Sequence, residues 1–189
     1  MDAMKFHPPN TMLCPLRSCL VLVDLQDSLM PFIHDHATVS KEALRLARIA
    51  HALGIPILGT EQNPARLGPN TATLKALCSD TLEKEHFDAC ALELLPNALP
   101  IGCSQIILAG CEAHVCLMQT ALGLLHRDYD VFVVANACGS RRGEDKTYGL
   151  QRLQQAGATL ITAEMAGFEW LQRFTHENFR TVLELIKPL

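Results

Sequence analysis

The sequence predicts an α/β fold: a six-stranded parallel sheet with helices on both faces, a Rossmann-like three-layer sandwich. Three observations carry that prediction. Short apolar runs recur at residues 18–24, 55–60, 106–109 and 131–134, each too short for a helix and apolar at successive positions, as in strands buried on both faces. Between them stand segments whose apolar residues recur at helical spacing. Strand and helix therefore alternate, and a parallel pair needs just such a long crossover.

The elements follow in order. Ser18 to Asp24, SCLVLVD, is the first strand and ends in a carboxylate. Residues 26–38 read as a loop containing Pro31. Ser40 is the expected N-cap of a helix whose stripe is Leu46, Ile49, Ala50 and Leu53, and which Gly54 and Pro56 terminate. Residues 55–60 form the second strand, followed by the loop EQNPARLGP. A short helix is expected over 71–77, a brief third strand over 81–84, and a helix over 92–99 that Pro96 disturbs. The fourth strand leads to Gly110 and then to a helix opened by Cys116, with Val115, Met118, Leu122 and Leu125 on one face. Residues 131–134 make the fifth strand, 144–155 a helix stopped by Gly157, and 159–162 the sixth strand. A final amphipathic helix is expected over 176–187.

At 189 residues the chain suits one domain, with residues 1–17 as an irregular arm and 18–189 as the folded unit. A net charge of −4 without a basic run argues against nucleic acid as a partner. One Trp and two Tyr leave little for a base-stacking platform. No apolar run approaches a membrane span, and the first residues lack the apolar centre of a signal peptide, so a cytoplasmic protein is expected. Eight cysteines suggest disulfides, but their spacing is irregular and Cys-x-x-Cys is absent. Cys19, Cys78, Cys103, Cys111 and Cys138 read as small buried hydrophobes. No cofactor is expected: Asp24-Leu25-Gln26-Asp27 after the first strand lacks the glycines a dinucleotide needs, and no phosphate-binding loop appears.

Residues 105–140 organise the chain's chemistry. A strand, a glycine and a helix place Cys116 at a helix entrance, where unpaired N–H groups and a partial positive charge favour thiolate and oxyanion. Asp24 ends the first strand and Lys84 the third, so a parallel sheet brings carboxylate, ammonium and thiol to one edge. There Lys84 would favour the thiolate, and Asp24 would take the thiol proton and return it to a leaving amine. Each residue also has a plain structural reading: a turn carboxylate, a solvated lysine, a buried thiol. Gln62 and Asn63, just beyond the second strand, read equally as substrate-binding residues or as loop residues satisfying their own backbone. His86 and His114 read as structural.

The chain resembles the isochorismatase-like cysteine hydrolases over residues 18–170. The resemblance rests on Val21-Leu22-Val23-Asp24-Leu25-Gln26-Asp27, on Lys84-Glu85-His86-Phe87, and on Gly110-Cys111-Glu112-Ala113-His114-Val115-Cys116. Thr60-Glu61-Gln62, Leu67-Gly68-Pro69 and Asn136-Ala137-Cys138-Gly139-Ser140-Arg141 are similar to segments of the family's short isochorismatase-domain proteins. The resemblance implies a triad of Asp24, Lys84 and Cys116, a cis peptide between Cys111 and Glu112, and an oxyanion hole from the N–H groups of Glu112 and Cys116. It implies a small carboxamide or related C–N bond cleaved through a thioester; Phe87 is expected at the substrate together with Gln62 and Asn63. Apolar helices and a small size suggest a homo-oligomer, and members of the family range from dimer to octamer. The chain departs from the family pattern at Asp88, where Ser is common, at Asn136, where Asp is common, and at Ala113, where Thr is frequent. His34-Asp35-His36 lies where family nicotinamidases hold a metal but with other spacing, and no metal is expected. Two rival readings are a scaffold that has lost efficient catalysis and a redox sensor using Cys111 and Cys116.

Overall fold

The computed structural model describes residues 12–187. Six strands form one parallel sheet in the order β3-β2-β1-β4-β5-β6. They are β1 (Ser18–Val23), β2 (Ile57–Gln62), β3 (Asp80–Lys84), β4 (Gln105–Cys111), β5 (Asp130–Gly139) and β6 (Thr159–Ile161). The helices are α1 (His36–Ala52), α2 (Pro64–Leu67), α3 (Ala72–Lys75), α4 (Leu94–Ala98), α5 (Cys116–Leu125), α6 (Gly143–Gln155), α7 (Ala163–Leu171) and α8 (Phe179–Ile186). This is the three-layer sandwich expected from the alternation of elements.

The strand side chains sort by parity into two cores. Leu20, Leu22, Ile107, Ala109, Phe132 and Val134 face the layer containing α1, α7 and α8. Cys19, Val21, Val23, Ile106, Leu108, Val131 and Val133 face the layer containing α5 and α6. A strand buried on both faces needs apolar residues at every position, which is why these runs do not alternate with polar ones. Leu13, in the stretch read as an irregular arm, is fully buried, and its N–H donates to Glu169 Oε2 at 2.8 Å.

The chain runs outward from β1 to β3, then returns to lay β4 on the other side of β1. The switch point therefore lies between β1 and β4, and ligands of open α/β sheets gather outside the strand ends there. Val23 pairs with Gly110 at that point. A Cβ on Gly110 would stand 2.0 Å from the Val23 carbonyl oxygen, so only glycine permits the approach. Gly149 plays a like part in α6: a Cβ there would meet the Ala113 carbonyl oxygen at 2.7 Å.

Several boundaries differ from expectation, each for a physical reason. Helix α1 begins at His36, with Asp35 as its left-handed N-cap residue and Thr38 Oγ1 donating to Asp35 Oδ1, so Ser40 lies inside the helix. The preceding loop holds a 3-10 turn at Met30–Phe32. Strand β2 starts two residues late, because pairing begins at Ile57 opposite Leu20, and it continues through Gln62. Strand β5 runs on to Gly139 across Ala, Asn and Cys, which are weaker signals than Val131 to Val134. On α5 the buried face is Cys116, Leu117, Thr120, Ala121 and Leu124, while the stripe of Val115, Met118, Leu122 and Leu125 is only half-buried. Both faces of that helix are apolar, so periodicity alone did not choose between them. Helix α7 was not expected. Thr162 Oγ1 accepts from the Met165 N–H at 3.2 Å, and Ala163, Ala166, Gly167, Trp170 and Leu171 are buried at helical spacing. Its small residues dilute an otherwise regular stripe.

Asn136, one of the departures from the family pattern, has a structural account. Its Nδ2 donates to the buried Glu42 Oε2 at 2.8 Å, and its Oδ1 accepts from the Ala163 N–H at 3.0 Å, tying α1, β5 and α7 together. An aspartate would set a second carboxylate against Glu42. Asn136→Asp is expected to lower stability by about 1–3 kcal/mol at pH 7, and Glu42→Gln in the same chain to restore most of the loss. Urea midpoints of the two variants check this.

Candidate active site

Asp24 follows β1 directly, with a φ of 49° and its N–H donating to the Thr60 carbonyl at 3.2 Å. Its Oδ1 accepts from Thr60 Oγ1 at 2.6 Å and its Oδ2 from Lys84 Nζ at 2.7 Å. Both charged side chains are sealed from solvent, at 1% and 2% exposure. Two desolvated charges persist only when paired and hydrogen-bonded, and this pair meets both conditions. Lys84 Nζ also donates to Gln62 Oε1 at 2.6 Å. Gln62 and Lys84 are register partners on β2 and β3, so their side chains stand next to each other.

The third member comes from beyond the switch point. The Cys111–Glu112 peptide is cis, and residues 112–115 turn the chain into α5. Cys116 is the first residue of that helix, and its Sγ lies 3.9 Å from Gln62 Oε1. Among the described residues the N–H groups of Glu112 and Cys116 have no hydrogen-bond partner. The Glu112 side chain is bound to Arg141, its Oε2 accepting from the N–H and Nε of that residue, both at 3.0 Å.

The electrostatics differ from expectation in one respect. Burial pushes the Cys116 thiol up to about 12, and the nearby Asp24 carboxylate pushes the same way, while Lys84 opposes them. The sulfur thus rests as a thiol. One buried ammonium offsets one buried carboxylate, and desolvation then decides. Alkylation by iodoacetamide should follow the thiolate, rising about tenfold per pH unit from neutrality toward 12. At pH 7 it should run about a hundredfold slower than a free cysteine, the scarcer thiolate being partly offset by its greater nucleophilicity. Asp24→Asn should speed it, since the carboxylate is one of the causes of the rise. Rates from peptide mapping across pH 7–10 check both.

A cavity of about 560 Å³ opens over Lys84, lined also by Gln62, Asn63, Pro64, Ala65, Glu83 and Glu85. A second lobe of about 230 Å³ shares Glu83, Lys84 and Glu85 and continues to His86, Asp88, Ala91, Leu92 and Leu94. Asn63 lies on the first cavity but is exposed, and its N–H donates to the Lys84 carbonyl at 3.2 Å. Phe87 is 51% exposed and lies outside both linings. His114 Nδ1 lies 3.0 Å from Ser140 Oγ, bracing the loop before α5. His34 and His36 are exposed, and no cluster of three or more metal-binding side chains occurs among the described residues. All eight cysteines are free; Cys19, Cys111 and Cys138 are buried, Cys78 and Cys103 half-buried. No helix among the described residues is long and apolar enough to cross a membrane.

Two residues of the site carried no assigned role in the sequence. Thr60 orients Asp24. Gln26 is fully buried; its Oε1 accepts from the Gln62 N–H at 2.8 Å and its Nε2 donates to the Gln62 carbonyl at 3.1 Å and the Gly68 carbonyl at 2.7 Å. Thr60 lies within β2 and Gln26 three residues beyond β1, so neither stands at the strand ends that mark Asp24 and Lys84.

Fold and site together define a cysteine-hydrolase-like α/β sandwich, with a buried Asp–Lys pair beside a helix-entrance cysteine. The isochorismatase domain model matches residues 18–165. Isochorismatase domain-containing protein 2A of Mus musculus is 36% identical over 176 residues, covering 92% of this chain and 84% of that one. The chain belongs to the isochorismatase-domain family. Among solved structures, the MAR1 ribonuclease of Caenorhabditis elegans is 32% identical with a TM-score of 0.88, over 93% of this chain and 92% of that one. YcaC of Pseudomonas aeruginosa, solved with hexane-2,5-diol and covalent acrylamide, is 25% identical with a TM-score of 0.87, over 94% and 92%.

Proposed function

We propose that the protein is a cysteine hydrolase of a small carboxamide or related C–N bond. The observation that carries this reading is the hydrogen-bonded, solvent-sealed Asp24–Lys84 pair set beside Cys116 at the sheet's switch point. Asp24 removes the proton from Sγ as the sulfur attacks the carbonyl carbon, which suits a sulfur that rests as a thiol. The carbonyl π electrons move onto oxygen, which the N–H groups of Glu112 and Cys116 receive. The oxyanion collapses, the C–N bond breaks, and Asp24 returns the proton to the departing amine. Water then attacks the thioester, Asp24 taking its proton, and as the C–S bond breaks Asp24 returns that proton to sulfur, giving the carboxylic acid and the free thiol. Lys84 keeps its proton throughout and offsets the negative charge on sulfur and carboxylate.

The cavity supports a substrate that is neutral or cationic. Glu83 and Glu85 line it, and its one cation among the described residues is already paired with Asp24. The covalent acrylamide of the Pseudomonas relative is itself a small amide. The ribonuclease relative brings RNA into the test, although a net charge of −4 opposes a polyanion. Half-buried Val115, Met118, Leu122 and Leu125 on α5 suit a homo-oligomer. The test is a panel of small cationic, neutral and anionic amides, with RNA alongside, assayed for ammonia, amine or nucleotide release. Turnover of cationic or neutral amides supports the reading. Release of nucleotides with no amide turned over contradicts it.

A further inference from the structure

We propose that Gln62 is a positioning residue that acts through Lys84 and not on the substrate; the inference rests on the reading of Cys116 as nucleophile. The Gln62 amide is committed at both ends. Oε1 accepts from Lys84 Nζ at 2.6 Å, and Nε2 donates to the Glu85 carbonyl at 2.7 Å, which fixes which end of the amide faces the lysine. The backbone is committed too, because buried Gln26 clasps both the N–H and the carbonyl of Gln62. A residue held at four points is built to hold something else in place.

What it holds is an ammonium with two fixed acceptors, Asp24 Oδ2 and Gln62 Oε1. An ammonium has three donors. With two directions set, the third is constrained; the sulfur whose acidity Lys84 increases also donates weakly to Gln62 Oε1 at 3.9 Å, a contact that by itself favours the thiol, so slower alkylation in Gln62→Leu reports the lysine. The two acceptors are not equivalent during turnover. Asp24 gains and loses a proton in each half-reaction, so its hold on Lys84 weakens whenever it is neutral. A carboxamide does not titrate. Gln62 therefore keeps the ammonium in place through the steps in which Asp24 carries the proton. The register pair Gln62 and Lys84 on adjacent strands makes this contact a product of the sheet itself.

The experiment uses Gln62→Leu, which keeps the shape and removes the acceptor. For an amide that the wild type hydrolyses, kcat should fall about tenfold to a hundredfold, as for loss of a hydrogen bond to a charged group, with KM within about twofold. A raised KM at an unchanged kcat would mean that Gln62 binds substrate, and would overturn the proposal. A second readout needs no substrate: iodoacetamide alkylation of Cys116 at pH 9, followed by peptide mapping. Gln62→Leu should slow it about tenfold, but by less than about twofold in a Lys84→Met background, since the effect runs through the lysine. Equal slowing in both backgrounds overturns the proposal. If Lys84→Met does not fold, an unchanged or faster rate in Gln62→Leu alone overturns it. If the wild type hydrolyses no amide, the functional reading fails, while the alkylation rates still decide the role of Gln62.

Discussion

Cys116→Ala is expected to remove turnover by at least about four orders of magnitude, because the proposed mechanism forms its thioester on that sulfur. The fold survives the change. Cys116 is 7% exposed at the first position of α5, and alanine there keeps the helix entrance while giving up one sulfur's packing, about 1–2 kcal/mol. Seven other cysteines remain, and none replaces it. Cys111 is nearest in sequence, but it is fully buried, its thiol is pushed up by burial and by neighbouring groups, and its Sγ contacts Met30 Sδ at 3.8 Å. Product release from a hydrolysable amide, with circular dichroism on the same sample, separates loss of chemistry from loss of fold. Residual activity within tenfold of wild type would place the nucleophile elsewhere.

Lys84→Met is expected to abolish the proposed activity and also to destabilise the protein, by about 3–5 kcal/mol at pH 7. The destabilisation does not come from a lost attraction alone. Asp24 is 1% exposed, and without the ammonium its carboxylate keeps only neutral donors among the described residues, Thr60 Oγ1 and the Cys116 thiol, and stays buried with its charge uncompensated. The diagnostic variant is the pair Asp24→Asn with Lys84→Met, which removes both charges from the same cavity. Its urea midpoint should return most of the way to wild type, because a neutral, hydrogen-bonded site carries no desolvated charge, yet it should remain inactive. Recovery of stability without recovery of turnover would show that the buried pair is kept for chemistry. A double variant as unstable as Lys84→Met would show instead that the fold depends on the ion pair itself.

The strands were legible because a sheet covered on both faces demands runs with no polar residue, and Cys19 to Val23 and Ile106 to Ala109 supply them. The clustering of the candidate site was legible where a polar or thiol side chain stands at a strand end, as for Asp24 and Lys84, or at a helix entrance, as for Cys116. Other features were hidden for specific reasons. The acidity of Cys116 depends on how deeply three charged or ionisable groups are buried together, and burial of a loop is not written in its residues. The role of Gln62 depends on β2 beginning at Ile57, a two-residue shift that moves it from loop to strand opposite Lys84. Helix α7 was masked by Ala163, Ala166 and Gly167, which pack against α1 and α8 through their smallness and so carry little apolar signal. Phe87 lay beside Lys84 in sequence, but the chain turns after β3 and leaves its ring half in solvent.

The central claim is that turnover passes through a covalent acyl group on one sulfur. Acid quenching of the protein during hydrolysis of a small amide, followed by peptide mass mapping, tests it most directly. The substrate's acyl mass is expected on the peptide containing Cys116, lost on hydroxylamine treatment and absent in Cys116→Ala. Turnover with that peptide unmodified at every quench time, or with the acyl group on another cysteine, would contradict it.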